Sequence, residues 1–367
     1  SFSFLLPTME PVPNRQRILD LLRENGQTIS DDVDFSYSRV GEGGGFVSML
    51  YKVRIDDAKF IVKITNPVAN LDGFEDTGSI FAKIHNREVN FYRWTATLSE
   101  DDRSHMRLAK FYGGCHCAGA TEGIIIIEDL SDRMISEHSW KSGYSVDLMK
   151  EIIRTIAVSQ AVHLHAESKF PTMDDRGTFS YLPSSMRTCI DGQPEKPWLT
   201  DANRKRLHIY AENVERLIED YPDYAKAAPR TIVHRDIWPD NMLFERKEGG
   251  GVGLLALIDW QCVCVGNALF DVASLLSVCL TAEVRRSKEK ELVDFYWTET
   301  QKECSERGTT FEMDLETAHR LYRHCLQWGA LLIISMIYFL KLEAEGEGKE
   351  GPLSGRLRAI LIDLNAE

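Results

Sequence analysis

The stretch IVHRDIWPDNMLF (residues 232–244), followed after a run of glycines by LALIDWQ (residues 255–261), decides how the rest of this chain is read. Apolar runs flank both polar clusters, with Ile232 and Val233 before the first, Met242 to Phe244 after it, and Leu254 to Ile258 before the second. Such a pattern puts Asp236, Asn241 and Asp259 at strand ends, where a rigid scaffold can present a metal site. Phosphoryl transfer needs a carboxylate to orient and deprotonate an attacking hydroxyl, and oxygen ligands that hold magnesium beside it. Asp236 can be that base. Asn241 can hold one metal ion, and Asp259, eighteen residues further on, can hold the other or bridge both. His-x-Asp-x-x-x-x-Asn with a strand-borne Asp downstream is a long, ordered signature, which an incidental surface turn does not explain.

Upstream residues fit the same chemistry. Residues 35–65 form short runs rich in Val, Ile, Tyr and Phe, broken by the glycines of 40–45 and by Asp56-Asp57, which predicts a hairpin. Lys63 stands on its last strand, in FIVK (60–63), a position from which a lysine reaches nucleotide phosphates. Residues 80–98 return to helical spacing, and Glu88 lies on the apolar face, four residues after Ile84 and four before Tyr92. A strand lysine by itself is usually a solvated charge; a face-buried Glu and the downstream Asp/Asn cluster reverse that reading. GEGGGF (41–46) lacks the third glycine of G-x-G-x-x-G. Its place between two strands excludes Rossmann and Walker A loops but allows a flap in which Gly43, Gly44 and Gly45 cover phosphates with backbone amides. The second glycine cluster, 249–253, reads as a hairpin turn.

Composition bounds the alternatives. The 367 residues carry 43 basic and 56 acidic side chains, a formal charge of −13. A phosphate backbone would repel so acidic a chain, so nucleic acid is not its expected partner, although a small anion can still bind where the charge is locally positive. Eight cysteines, with pairs only at C-x-C spacing (115/117 and 262/264), suit no zinc site and read as reduced thiols of a cytoplasmic protein. Residues 1–8 have no basic region and no small-residue cleavage site, so no signal peptide is expected. The longest apolar run, residues 329–340, has twelve residues where a membrane span needs about 20, and it reads as a buried helix with no membrane role. His163 and His165 on one helix diverge by about 200° and cannot share a metal.

After residue 147 the pattern is mainly helical, at 147–167, 202–219, 268–280, 287–300, 313–340 and 354–364, with one β-like region at 231–259. The expected fold class is α+β: a bilobal protein-kinase-like fold, with a small antiparallel-sheet lobe over 1–128 and a larger helical lobe over 129–367.

The order of these pieces, with HNREVNFY (85–92), EDL (128–130) and GN (266–267) through Asp271, resembles the choline/ecdysteroid kinase-like family, related to aminoglycoside phosphotransferases, and above all its nematode branch. The likeness covers about residues 38–340 and implies ATP and magnesium as cofactors. It implies Asp236 as base, Asn241 and Asp259 as metal ligands, Lys63 on the α/β-phosphates and Glu88 as its anchor. It also implies that backbone groups of Glu128 to Leu130 face the adenine, that Ile61, Leu243 and Ile258 wall it, and that Asp271 hydrogen-bonds the catalytic loop. Two residues depart from the family: Arg235 stands where Gly is common, and Asp240 adds a negative charge beside the metal-binding Asn.

Arg235 makes the segment look like the protein-kinase His-Arg-Asp. Only eleven residues separate Asp259 from Asp271, however, and no Ala-Pro-Glu follows, so there is no platform for a peptide. The expected acceptor is a hydroxyl of a small molecule, sterol-, choline- or glycoside-like, with no obligate protein partner evident. Among the aromatics of the helical part (Trp238, Trp260, Tyr296, Trp297, Tyr322 and Trp328), Trp238 and Trp260 are the expected acceptor contacts, because they adjoin Asp236 and Asp259. A catalytically inactive nucleotide-binding scaffold and a protein kinase are the competing readings.

Overall fold

Tyr51, Val53 and Ile55 are buried while Lys52 and Arg54 between them are exposed, the period of two that makes β2 (Ser48–Ile55) cover a core with one face. In the computed structural model, which describes residues 11–40, 48–65, 77–119, 121–135, 140–166, 182–196, 198–213, 229–340 and 351–365, this strand belongs to a five-stranded antiparallel sheet. The sheet order is β1 (Phe35–Arg39), β2, β3 (Ala58–Thr65), β5 (Gly123–Glu128) and β4 (Phe111–Cys115). The β2–β3 hairpin turns at Asp56, whose φ of 51° is a conformation that Asp tolerates better than most residues.

The chain divides into two compact units. The first comprises Ser1–Arg103, Leu108–Met134 and Ile258–Cys262, and the second Ser104–Arg107, Ile135–Leu257 and Val263–Glu367. In the first, α1 (Arg15–Glu24) lays Ile18, Leu19, Leu21 and Leu22 against Tyr51, Val53, Phe60, Val62, Ile64 and Ile126. Asn14 caps its start by accepting from the Arg17 N–H, and Gly26, at φ 84°, ends it where Asn-Gly predicted. Since Phe60, Val62 and Ile64 point into that core, strand alternation sends Ile61, Lys63 and Thr65 to the opposite face of β3. The long helix α2 (Thr77–Thr95) belongs to the same unit, and α3 (Glu100–His105) follows it in the chain.

The second unit is mainly helical: α4 (Val146–His165), α5 (Leu182–Asp191), α6 (Asp201–Glu212), α7 (Phe270–Cys279), α8 (Ala282–Glu306), α9 (Leu315–Leu340) and α10 (Pro352–Asp363). α7 is buried along its whole length and packs on α9, so its sequence has no polar face. Among the described residues this unit also has two small ladders, β6 (Arg230–Val233) with β9 (Cys264–Asn267), and β7 (Met242–Arg246) with β8 (Val252–Leu257). Gly249, Gly250 and Gly251, all at positive φ, close the β7–β8 hairpin as expected.

The architecture is α+β, as predicted, with differences of detail. β9 and α5 were not foreseen, and α8 starts five residues earlier than its pattern suggested because Thr281 caps it, accepting from the Val284 N–H. The segment Ile258–Cys262 groups with the first unit, although the sequence boundary near residue 128 would put it in the second. No helix among the described residues is long and apolar enough to cross a membrane, and all eight cysteines are free.

Candidate active site

In the first unit, strand alternation on β3 and helical spacing on α2 bring Lys63 and Glu88 to one place. Lys63 Nζ donates to Glu88 Oε2 at 2.6 Å and to Asp259 Oδ1 at 2.5 Å, from partners 25 and 196 residues away. Gln261 completes the group: its Nε2 donates to Asp259 Oδ2 at 3.1 Å, and its Oε1 accepts from Lys63 at 3.4 Å. Both oxygens of Asp259 are therefore oriented. Burial opposes the Lys63 charge, yet Asp259 and Glu88 outweigh it and hold the ammonium above its usual range. Burial likewise pushes Glu88 above the usual carboxylate range, against the pull of Lys63. Asp259 sits at φ 62°, at the entry to a short turn, Trp260–Cys262, and the Trp260 backbone hydrogen-bonds Glu88.

Trp260 is not an acceptor contact, which corrects the sequence expectation. It is 2% exposed and stacks on Phe91 of α2, with ring centroids 4.2 Å apart and planes within 12°. A large aromatic next to a polar residue can serve either as a surface or as packing, and here it packs into the core. Tyr296, Tyr322 and Trp328 are likewise buried, while Trp238 is half-buried.

Of the residues assigned to the adenine, Ile61 and Ile258 are half-buried in the first unit, Ile61 on the Lys63 face of β3; Leu243 is half-buried in the second. Glu128 ends β5, where it pairs with Phe60, and its N–H donates to the Lys110 carbonyl at 2.9 Å. The Leu130 carbonyl accepts from Arg133 and Met134. Gly43, Gly44 and Gly45 lie outside the described residues.

In the second unit, the turn after β6 is held from below. Asp271, at the start of α7, accepts from the His234 N–H at 2.7 Å and the Arg235 N–H at 2.9 Å, one to each carboxylate oxygen. Arg235 must take φ 67° to present its N–H there, a conformation in which Gly is at ease. Its side chain is buried, with Cys264 as a weak partner at 3.9 Å, so it offers no exposed cation to a phosphorylated loop. Asn241 Nδ2 donates to the Asp236 carbonyl at 2.8 Å and to Asp236 Oδ2 at 3.0 Å. That leaves Asn241 Oδ1 without a hydrogen bond among the described residues, an oxygen able to face a cation. Asp240 is exposed.

Burial raises Asp271 to about 6, although both backbone N–H groups favour its charge. The folded state then keeps a proton between pH 4 and 6 that the unfolded state has released, so stability falls as pH rises through this window, by about 3 kcal/mol at most. Asp271→Asn should flatten that slope, as urea unfolding from pH 4 to 7 would record, and should lower stability at pH 7 because its amide oxygen can accept from only one of the two N–H groups. An unchanged slope would refute the assignment.

Gln261 and His85 are the residues that motif reasoning passed over. Gln261 was visible as the last residue of IDWQ, two after Asp259, but an amide two residues from a carboxylate is common and only the turn aims it back.

The fold matches that of the choline kinase from Cryptosporidium parvum, with a TM-score of 0.55 and 11% identity, over 96% of this chain and 95% of that one. This is a likeness of fold alone, and the fold is kinase-like. A family model, DUF1679, described as "Uncharacterized oxidoreductase dhs-27", matches residues 61–350, and the chain belongs to that family. It is 25% identical over 337 residues to the Caenorhabditis elegans protein "Uncharacterized oxidoreductase dhs-27", covering 83% of this chain but only 40% of that relative's length. It is 28% identical over 285 residues to "Uncharacterized kinase-like protein D1044.1" of the same nematode, covering 77% of this chain and 73% of the relative.

Proposed function

We propose that this chain is an ATP-dependent phosphotransferase that moves the γ-phosphate to a hydroxyl of a small molecule. The observation that carries this reading is the convergence of Lys63, Glu88 and Asp259: a buried ammonium held between two carboxylates, one of them at the left-handed entry to a turn. A surface ion pair needs no such construction. The chemistry of each residue suits magnesium: Asp259, in the first unit, would offer carboxylate oxygen, and Asn241, in the second, an amide oxygen whose nitrogen is already engaged. When bound, the metal would neutralise charge on the transferring phosphates.

The roles of the chain's own residues follow from their chemistry. Lys63 would steady the α/β-phosphates, with Glu88 keeping it in place. Asp236 would accept the acceptor's hydroxyl proton as the oxygen attacks phosphorus and the bond to ADP breaks. Asn241, bonded to Asp236 Oδ2, would hold that carboxylate ready while its own oxygen faces the metal. Gly43 to Gly45 would cover the phosphates; Ile61, Leu243 and Ile258 would wall the adenine; Glu128 to Leu130 would meet its edge. Trp238 would touch the acceptor.

A small acceptor, sterol-, choline- or glycoside-like, is favoured over a peptide. The segment from Asp259 to Asp271 is occupied by a single turn, β9 and the start of α7, which leaves no length for a peptide platform. The curated name that speaks of an oxidoreductase belongs to a protein of which this chain spans 40%, and the five-stranded sheet here is antiparallel, unlike the parallel sheet of a dinucleotide-binding fold. The free thiols favour a reducing compartment such as the cytoplasm. The test is a panel of hydroxylated sterols, choline-like amines and glycosides, incubated with ATP and magnesium and read by mass spectrometry for a phosphorylated product. Nucleotide binding with no product from any acceptor would favour an inactive scaffold, and faster labelling of generic proteins than of any small alcohol would favour a protein kinase.

A further inference from the structure

We propose that His85 is a positioning residue: it ties the helix that carries Glu88 to the cross-strand pair Ser48 and Thr65, and so sets where Glu88 meets Lys63. His85 is buried in the first unit, with Nε2 3.0 Å from the Cys115 carbonyl and Nδ1 2.9 Å from Thr65 Oγ1. Ser48 Oγ lies 2.5 Å from the same Thr65 oxygen, and Ser48 and Thr65 are direct partners in the β2–β3 ladder.

Chemistry gives this chain a direction. A carbonyl only accepts, so Nε2 carries the ring proton and donates to Cys115. Burial lowers the ring's basicity to about 4, which keeps it neutral at ordinary pH. Nδ1 must then accept, so Thr65 donates to it, and Ser48 donates to Thr65. Each donor has one acceptor, and the chain has one consistent arrangement.

Space for the ring has been kept open. Gly123 pairs with Thr65 across β3–β5, and a Cβ at Gly123 would run into the His85 ring and the Cys117 sulfur. Besides Glu88, which meets Lys63 on β3, Asn86 and Arg93 of α2 bind on the β4 side. Asn86 accepts from the Cys117 N–H at 2.7 Å and donates to its carbonyl at 3.0 Å, and Arg93 donates to the Gly114 carbonyl at 3.0 Å. His85 adds the link to β2 and β3.

That link runs beside the catalytic pair. Glu88 follows His85 by three residues, about 4.5 Å along the helix axis. Lys63 precedes Thr65 by two residues on the same face of β3. His85 to Thr65 and Glu88 to Lys63 are thus neighbouring rungs between one helix and one strand, and a slide of α2 that breaks one breaks the other.

Thr65→Val tests this, since it keeps the shape of the side chain and removes the donor to Nδ1. The effect on nucleotide rests on the phosphotransferase reading; the ring chemistry does not. In the parent, nitrogen NMR should find His85 neutral with its proton on Nε2. In Thr65→Val the Nδ1 signal should move to that of an unbonded nitrogen, amide exchange over residues 84–89 should quicken about tenfold, and the Kd for ATP with magnesium should rise about tenfold, the loss of one buried hydrogen bond. Thr95→Val is the control. Its hydroxyl is also buried but donates within α2, to the Tyr92 carbonyl, and its removal should change the Kd by less than about twofold. Equal losses in both variants, or a parent ring protonated on Nδ1, would overturn the proposal. If the parent bound no ATP, the phosphotransferase reading would fail, and the exchange difference between the two variants would still decide the role of His85.

Discussion

Asp236→Asn should lower acceptor-dependent turnover by about 10²-fold or more while leaving ATP affinity within a small factor of the parent. The substitution preserves shape, and the new amide oxygen can still accept from Asn241, which now donates to Asp236 Oδ2 at 3.0 Å. The His234 and Arg235 N–H groups remain on Asp271, so the turn that carries residue 236 keeps its support. What is lost is the basic lone pair. Steady-state kinetics with the best acceptor of the panel, alongside calorimetry of ATP binding, separates the two quantities. Turnover close to that of the parent would remove Asp236 from the mechanism, whatever the acceptor proves to be.

Asp259→Ala is the second large effect, and its character differs. If Asp259 holds the metal as proposed, the substitution should abolish the magnesium enhancement of ATP binding, because water cannot replace a carboxylate oriented at both oxygens. The remaining pair should survive: Lys63 keeps Glu88 at 2.6 Å, and Glu88, freed from the repulsion of Asp259, titrates lower than before. Lys63→Met offers the contrast. It would leave a buried carboxylate at Glu88 with no cation, at a cost of about 3 kcal/mol or more in stability, where Asp259→Ala should cost far less. Calorimetry with and without magnesium, together with urea unfolding of both variants, checks the pattern. Equal magnesium enhancement in Asp259→Ala and the parent would count against the assignment of the metal ligand.

Local order along the chain was enough to single out the candidate residues. The spacing from His234 through Asp236 to Asn241 proposes a base and a ligand, because a turn between two apolar runs has few ways to present its polar residues. Period-two burial put Lys63 on a defined face of β3, and helical spacing put Glu88 on the apolar side of α2, where an uncompensated carboxylate is costly; a cationic partner could be inferred before its identity was known. The hairpin at 249–253 and the end of α1 at Asn25-Gly26 were legible for the same reason, since backbone conformations open mainly to Gly and Asn leave a mark in composition.

Long-range packing decided the rest. No local pattern reveals that Asp259 packs with a sheet formed 196 residues earlier, or that both of its oxygens are held there, by Lys63 and Gln261. Trp260 read as a surface for a ligand until its stacking on Phe91 made it part of the core; hydrophobic burial is non-directional, and only the assembled partners say which aromatic is covered. His85 stood in the HNREVNFY stretch with no role assigned to it. Its role depends on the register of three strands, on a glycine opposite Thr65 and on a carbonyl that can only accept, and such conditions meet only when the sheet and helix have formed.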